Sequence, residues 1–320
     1  MRHSLLTQFV LCTSTSLVAA RWYEPSFGSG AGPPNTSFVE ENRHPDASKS
    51  VSFHPIRPNG KPWKWTVNIT KIGVSDSTTP PNMYPPAYTG PDAQIVNTVY
   101  SFSWESDGRN ASLPAELDEQ RARSSEPFCY TSIDRISLLP PNVTNLYNDT
   151  ADPSGDCATT IGQGCVDAIR DAILSEPRNG DGCHGAVNVT AIPECTGNLP
   201  SKWYTLYGAT PINNPKNIDN GTSRFQNETY FSGDAFHYIS SAADNNAGTQ
   251  NRFDVEQLRV HMVLVVAGDD SFNALCMRVN TSVKATDDPL TGAKNISAGV
   301  PKANVWLGIS GALVVLSLLI

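Results

Sequence analysis

The stretch Trp63-Lys64-Trp65-Thr66-Val67-Asn68-Ile69-Thr70 decides the fold. Apolar side chains hold every odd position and polar ones every even position, the period of a half-buried β-strand. Asn68 also opens an Asn-x-Thr glycosylation sequon, and a sugar cannot sit in a core. Lys64, Thr66, Asn68 and Thr70 are then the wet face, and Trp63, Trp65, Val67 and Ile69 the buried one. Hydropathy and the sequon, two separate signals, assign the same faces.

Outward from this strand, further strand patterns fall at 94–104, 128–139, 186–192, 202–207, 235–240, 257–267 and 274–284. The last two flank Gly268-Asp269-Asp270-Ser271 and read as an antiparallel hairpin. The sequon at Asn188 turns Val187, Val189 and Ala191 inward. The one at Asn280 turns Leu275, Met277, Val279 and Val283 inward. That phase puts Cys276 on the outer face, so its disulfide must reach a segment crossing outside the sheet or at its edge. At Asn227 the same phase exposes Phe225 and Phe231 and buries Glu228, so 225–231 is read as no regular strand.

One helix pattern is clear. From Gly164 to Ser175 the apolar positions Val166, Ile169 and Ile173 recur at three- and four-residue spacing, and Glu176-Pro177 ends the run. A weaker pattern covers Ala115 to Arg123. Residues 80–91 carry too many prolines for a central strand and read as an extended loop. Residues 21–62, with several isolated prolines and the run Gly28-Ser29-Gly30-Ala31-Gly32-Pro33-Pro34, read as irregular. No repeat of 20–50 residues is present, which excludes a solenoid or propeller. The expected fold is mainly β: an antiparallel β-sandwich-like domain over 63–284, with a small disulfide-bonded helical insert over 157–195 and long loops.

Both ends read as addresses. Residues 1–20 have a basic start at Arg2, an apolar run from Leu5 to Val18 and small residues at Val18-Ala19-Ala20, the pattern of a signal peptide cut after Ala20. Residues 305–320 form an uncharged apolar run about 24 Å long as a helix, against roughly 30 Å of bilayer hydrocarbon. The 285–304 linker before it holds the small triplet Ser297-Ala298-Gly299. This is the pattern of a glycosylphosphatidylinositol (GPI) attachment signal, with Ser297 as the expected site and Gly292-Ala293 and Asn295 as fallbacks.

Composition agrees. The chain has 320 residues, 39% hydrophobic and 17% charged, which is too apolar for general disorder. Losing Arg2 and Lys302 with the two terminal segments takes the net charge from −8 to −10. A nucleic-acid binder needs a basic face, so that class is excluded. Cys12 leaves with the leader, and Cys129, Cys157, Cys165, Cys183, Cys195 and Cys276 form an even set suited to three disulfides. Their spacing is not that of a zinc site. Cys129–Cys276 and Cys183–Cys195 are the expected pairings among fifteen possible connectivities. Sequons start at Asn35, Asn68, Asn110, Asn142, Asn148, Asn188, Asn220, Asn227, Asn280 and Asn295, against about four expected from composition alone. All but Asn227 and Asn295 are taken as glycosylation sites.

Motifs for chemistry are sparse. Gly180-Asp181-Gly182-Cys183-His184-Gly185 matches G-x-G-x-x-G, but a helix precedes it and a strand pattern follows, the reverse of a dinucleotide site. There is no G-x-S-x-G and no H-E-x-x-H. Of the histidines outside the leader (His44, His54, His184, His237 and His261), His237 and His261 lie on strand patterns and could meet in space. Each is read first as a satisfied or surface histidine. Among acids that could pair to act on sugars, Glu105 and Asp107 follow a strand pattern, Asp134 lies on another, and Asp269 and Asp270 sit at a hairpin tip, and a solvated loop acid is the simpler reading. Tyr84, Tyr88, Trp203, Tyr204 and Tyr207 are candidates to stack on sugars, whereas Trp63, Trp65, Trp104 and Trp203 read first as core.

No cofactor, metal or catalytic residue is assigned. The sequence points to an exported, lipid-anchored surface glycoprotein on the outer face of the plasma membrane or in the wall. Its expected role is structural, adhesive or ligand-binding, with cell-wall carbohydrate or another surface protein as partner. The alternative is an extracellular hydrolase of wall polysaccharide.

Overall fold

The computed structural model describes residues 28–31, 41–56, 60–73, 90–105, 112–120, 128–132, 139–148, 153–180, 182–185, 187–199, 210–211, 230–267 and 271–286. Its central strand, Trp63–Gly73, has the alternation read from sequence. Trp63, Trp65, Val67 and Ile69 are wholly buried, while Lys64 is exposed. β-Branched and aromatic residues suit a pleated surface with one face against a core. Thr70, expected on the wet face, is buried instead.

In chain order the strands are β1 (Gly28–Ala31), β2 (Ala47–Phe53), β3 (Trp63–Gly73), β4 (Gln94–Trp104), β5 (Phe128–Ser132), β6 (Thr210–Pro211), β7 (Ala235–Ser240), β8 (Val260–Ala267) and β9 (Ser271–Arg278). The helices are α1 (Leu113–Glu119), α2 (Pro141–Thr144), α3 (Ala158–Ile161), α4 (Gln163–Ser175) and α5 (Asn246–Leu258). One sheet runs β1-β7-β4-β3-β2 and the other β6-β5-β8-β9, and every strand pair is antiparallel.

The sheets face each other across an aromatic interior. Trp63, Trp65, Tyr100 and Phe102 of the first sheet pack with Phe128, Tyr130, Val263, Val265, Leu275 and Met277 of the second. The rings of Trp63 and Phe128 stack at 5.1 Å between centroids, joining the two layers. Tyr230 secures the turn after it: its hydroxyl accepts from Phe102 N at 2.9 Å and donates to Asp234 O at 2.5 Å. The mainly-β sandwich with a helical insert is therefore the fold.

A third layer lies on the outer face of the second sheet. Cys129, Met262, Leu264, Val266, Ala274 and Cys276 point away from the sandwich interior and pack against Ile161, Val166, Ile169 and Ile173 of α3 and α4. The disulfides are Cys129–Cys183, Cys157–Cys276 and Cys165–Cys195. Cys276 does reach a segment crossing outside the sheet, but both expected pairings are corrected. β8 lies between β5 and β9, and Cys129 faces its Val266 while Cys276 faces its Met262, so the two cysteines are more than two strand spacings, about 10 Å, apart, beyond the reach of a disulfide. Each bonds upward into the insert. Cys195 bonds Cys165 on α4, which leaves Cys183 for Cys129.

Other boundaries differ from the sequence reading. Within the expected 186–192 strand the described residues 187–192 form none: a short 3₁₀ turn at Val189–Ala191 takes its place, followed by another at Pro193–Cys195. Val187 and Val189 are buried as expected, but Ala191 is exposed. The 257–267 pattern is the end of α5 followed by β8, with Arg259 as the joint. β9 starts at Ser271 and stops at Arg278, and with β8 it forms the expected hairpin. β2 lies inside the segment read as irregular. α1 begins two residues before its expected start. The 202–207 pattern and the prolines at 80–86 lie outside the described residues. Among the described residues no helix is long and apolar enough to cross a membrane.

Candidate functional site

The fold sorts the sequons by what each asparagine amide is bonded to. Asn142, Asn148 and Asn188 are exposed. Asn280 sits just after β9, where its Oδ1 accepts from Ser282 N at 3.0 Å and from Ser282 Oγ at 2.7 Å. This is an Asx turn closed by the sequon's own hydroxyl. Asn68 differs. Its Oδ1 accepts from Ser48 Oγ at 2.6 Å, and its Nδ2 donates toward Asn42 O at 3.2 Å and Asn42 Oδ1 at 3.0 Å. It ties β2 and the segment before it to β3. An N-linked sugar replaces one of the two amide hydrogens, so modification and this pair of bonds compete. Asn35, Asn110, Asn220, Asn227, Asn295 and Ser297 lie outside the described residues.

The aromatic and acidic candidates separate in the same way. Trp63, Trp65 and Trp104 are buried and belong to the interior, as the core reading has it. Tyr84, Tyr88, Trp203, Tyr204 and Tyr207 lie outside the described residues, as do Asp107, Asp134, Asp269 and Asp270. Glu105 is exposed. Three buried acids escaped the sequence reading. Glu116 on α1 accepts from Trp63 Nε1 at 3.2 Å and Gln120 Nε2 at 2.5 Å. Asp254 on α5 accepts from Gln250 Nε2 at 2.7 Å, and burial raises its pKa against the opposing pull of Gln250 and Lys71. Glu256 is the third. Helix phase held a signal for two of them. Glu116 shares a face with Leu113 and Leu117, and Glu256 lies three residues after Phe253.

Glu256 belongs to a buried polar centre between the sheets. Its Oε1 accepts from Thr98 Oγ1 of β4 at 3.1 Å, and its Oε2 pairs with Arg259 Nε at 3.0 Å. His261, the second residue of β8, has no exposure. Its Nδ1 meets Tyr100 OH at 3.0 Å and its Nε2 meets Glu256 O at 3.2 Å. Burial drops its pKa to about 4, with Glu256 pulling upward and Arg259 pushing down. His237 of β7 stacks on Tyr100 at 5.6 Å, and Tyr130 of β5 meets His237 edge-on at 5.9 Å. His237 and His261 each contact the ring of Tyr100. His184 is placed elsewhere, with Nδ1 bonded to Glu176 O at 2.8 Å.

Chemically the centre is a set of hydrogen-bonded and paired groups in which Thr98, Tyr100 and His261 are buried and the Glu256–Arg259 pair lies at its partly exposed edge. Among the described residues no group of three or more His, Cys, Asp or Glu side chains is arranged to hold a metal ion. No protein-family model, no curated protein and no solved structure matches this chain, so the site is read from its own geometry.

Proposed function

We propose that the chain is exported, loses residues 1–20, carries N-linked sugars and is held by a GPI lipid at Ser297. It then sits on the outer face of the plasma membrane or in the wall. There the sandwich serves without catalysis as a structural, adhesive or ligand-binding module. The observation that carries this reading is the use of all six cysteines outside the leader in three buried disulfides. Such bonds persist in oxidising compartments. The placement of Asn142, Asn148 and Asn188 on the exposed surface supports it. Glu116, Asp254 and Glu256 are each hydrogen-bonded into the packing, which favours a non-catalytic role over a polysaccharide hydrolase with two carboxylates facing one groove.

The test uses intact expressing cells treated with phosphatidylinositol-specific phospholipase C, followed by enzymatic removal of N-glycans. The expected result is release into the medium and then a fall in mass by several glycans. Retention on the cells after verified enzyme activity contradicts the lipid linkage, and unchanged mass contradicts the glycosylation.

A further inference from the structure

Asn179-Gly180 stands where the chain turns back after α4, and both residues are exposed. Asn179 N donates to Cys183 O at 2.8 Å, Gly182 N donates to Asn179 O at 2.9 Å, and Gly182 has a φ of 84°. This is a tight turn followed by a left-handed glycine, the form that closes short hairpins. Its base is fixed. Arg178 Nη1 donates to Gly182 O at 3.0 Å, and Cys183 is bonded to Cys129 on β5. The Gly180 N–H is left over: it donates to no group among the described residues, and neither does the Asn179 side-chain amide. A Cβ built at Gly180 meets nothing within 4 Å, so the approach to its nitrogen is open.

A free backbone nitrogen beside an exposed, unengaged asparagine amide can attack it. We infer that Asn179 is a site of spontaneous deamidation through a succinimide. Hydroxide takes the proton from Gly180 N, and the nitrogen lone pair bonds to Asn179 Cγ. The Cγ–Nδ2 bond breaks, and the amide group takes a proton from water and leaves as ammonia, which closes the ring and restores hydroxide. Water then adds to one of the two ring carbonyls. Breaking the bond from Gly180 N to Cγ gives aspartate, and breaking the bond to the main-chain carbon gives isoaspartate. One water is consumed and one ammonia released, with no change of oxidation state. In the isoaspartyl product the carbonyl that accepts from Gly182 N leaves the main chain, and a negative charge appears beside Arg178.

The chain holds two other Asn-Gly pairs, Asn59-Gly60 and Asn220-Gly221. At the first, Gly60 N already donates to Ile56 O at 2.9 Å, and that same carbonyl crowds the place of a Cβ on Gly60. The attacking nitrogen there is committed, so the fold separates two pairs that sequence alone makes equal. Asn220 opens a sequon and lies outside the described residues.

The test ages the full-length protein in mildly alkaline buffer, digests it at acid pH to stop the reaction, and maps the peptides by mass spectrometry with fragmentation that separates aspartate from isoaspartate. The reduced, alkylated and unfolded chain, aged in parallel, gives the intrinsic rates. In the folded protein Asn179 should convert within about threefold of its unfolded rate, with isoaspartate in excess, and Asn59 at least about tenfold below its own. Gly180→Ala fits the open space and should slow conversion about tenfold, because the Cβ shields the attacking nitrogen. A folded Asn179 that keeps its amide while the unfolded chain converts overturns the inference. So does conversion of Gly180→Ala at the unsubstituted rate, or an Asn59 that converts as freely as Asn179.

Discussion

The two buried layers of the molecule are made of different material. The interior between the sheets is aromatic, built on Trp63, Trp65, Tyr100, Phe102, Phe128, Tyr130 and Phe236, and contains no cysteine. The layer between the second sheet and the insert is largely aliphatic and holds all six disulfide cysteines. Strands of eleven residues such as β3 and β4 align large rings by their ladder alone. A four-residue helix such as α3 and three-residue 3₁₀ turns expose too little apolar surface to order themselves, so covalent ties do that work. Two of the ties fasten the insert to the sheet and one closes it on itself.

The largest expected effect comes from the bond that closes the longest loop. Cys157→Ala with Cys276→Ala opens a loop of 119 residues, and the chain-entropy model gives a loss of about 4–5 kcal/mol. Denaturant unfolding of the doubly substituted protein measures it. Cys165→Ala with Cys195→Ala opens a loop of 30 residues and should cost about 3.6 kcal/mol. This smaller loss should appear in the amides of 158–199 while 63–73 stay protected, which separates the two layers directly. A common unfolding of both would show that they form one cooperative unit.

On the sandwich side, Trp63→Ala removes a wholly buried ring that touches Phe53, Phe102, Trp104 and Phe128. It also leaves Glu116 without the indole donor. The expected cost is about 3–5 kcal/mol, read from the same unfolding curves.

Acid should weaken the sandwich. The His261 ring binds its proton near pH 4 in the folded protein and near 6.5 when unfolded. Between these values the unfolded chain holds more protons, so stability falls as pH drops through that window and levels off below it. The loss amounts to about 3 kcal/mol at most. A pH series of unfolding midpoints checks this, and His261→Gln should remove that part of the slope.

How much was legible follows from the same contrast. Period-two alternation marked β3 directly, and β4 and β7 were found at their observed bounds. β2 was missed because Lys49 occupies an inward phase. Its amine reaches out over the Tyr147 ring at 5.4 Å and so is accommodated there. α5 was missed because it starts with Asn246-Ala247-Gly248-Thr249, a poor helical pattern. What starts it is a cap, with Asn245 accepting from Gly248 N at 2.9 Å. Its direct run into Val260 made the junction look like one strand. The convergence of His237 and His261 on Tyr100 depends on how the sheets face each other, which no local pattern records. The disulfide pairing depends on strand order in the same way.

The smallest expected effect concerns the sugars. Asn280→Gln should lower the mass of the mature protein by one glycan and change stability by no more than about 0.5 kcal/mol. Asn68→Gln should leave the mass unchanged, because the native Asn68 amide is committed to Asn42 and Ser48. It should cost about 1 kcal/mol for the lost bonds. Intact-mass measurement of the two variants distinguishes the sites.

The central claim is that an aromatic sandwich carries a helical layer held on by cysteines, in a chain that matures in an oxidising compartment. Peptide mapping without reduction, on protein labelled at the surface of intact cells, tests it most directly. The account predicts three linked peptide pairs, Cys129 with Cys183, Cys157 with Cys276 and Cys165 with Cys195, and no alkylatable thiol among them. Free thiols at these positions, or a Cys129–Cys276 link, would contradict it.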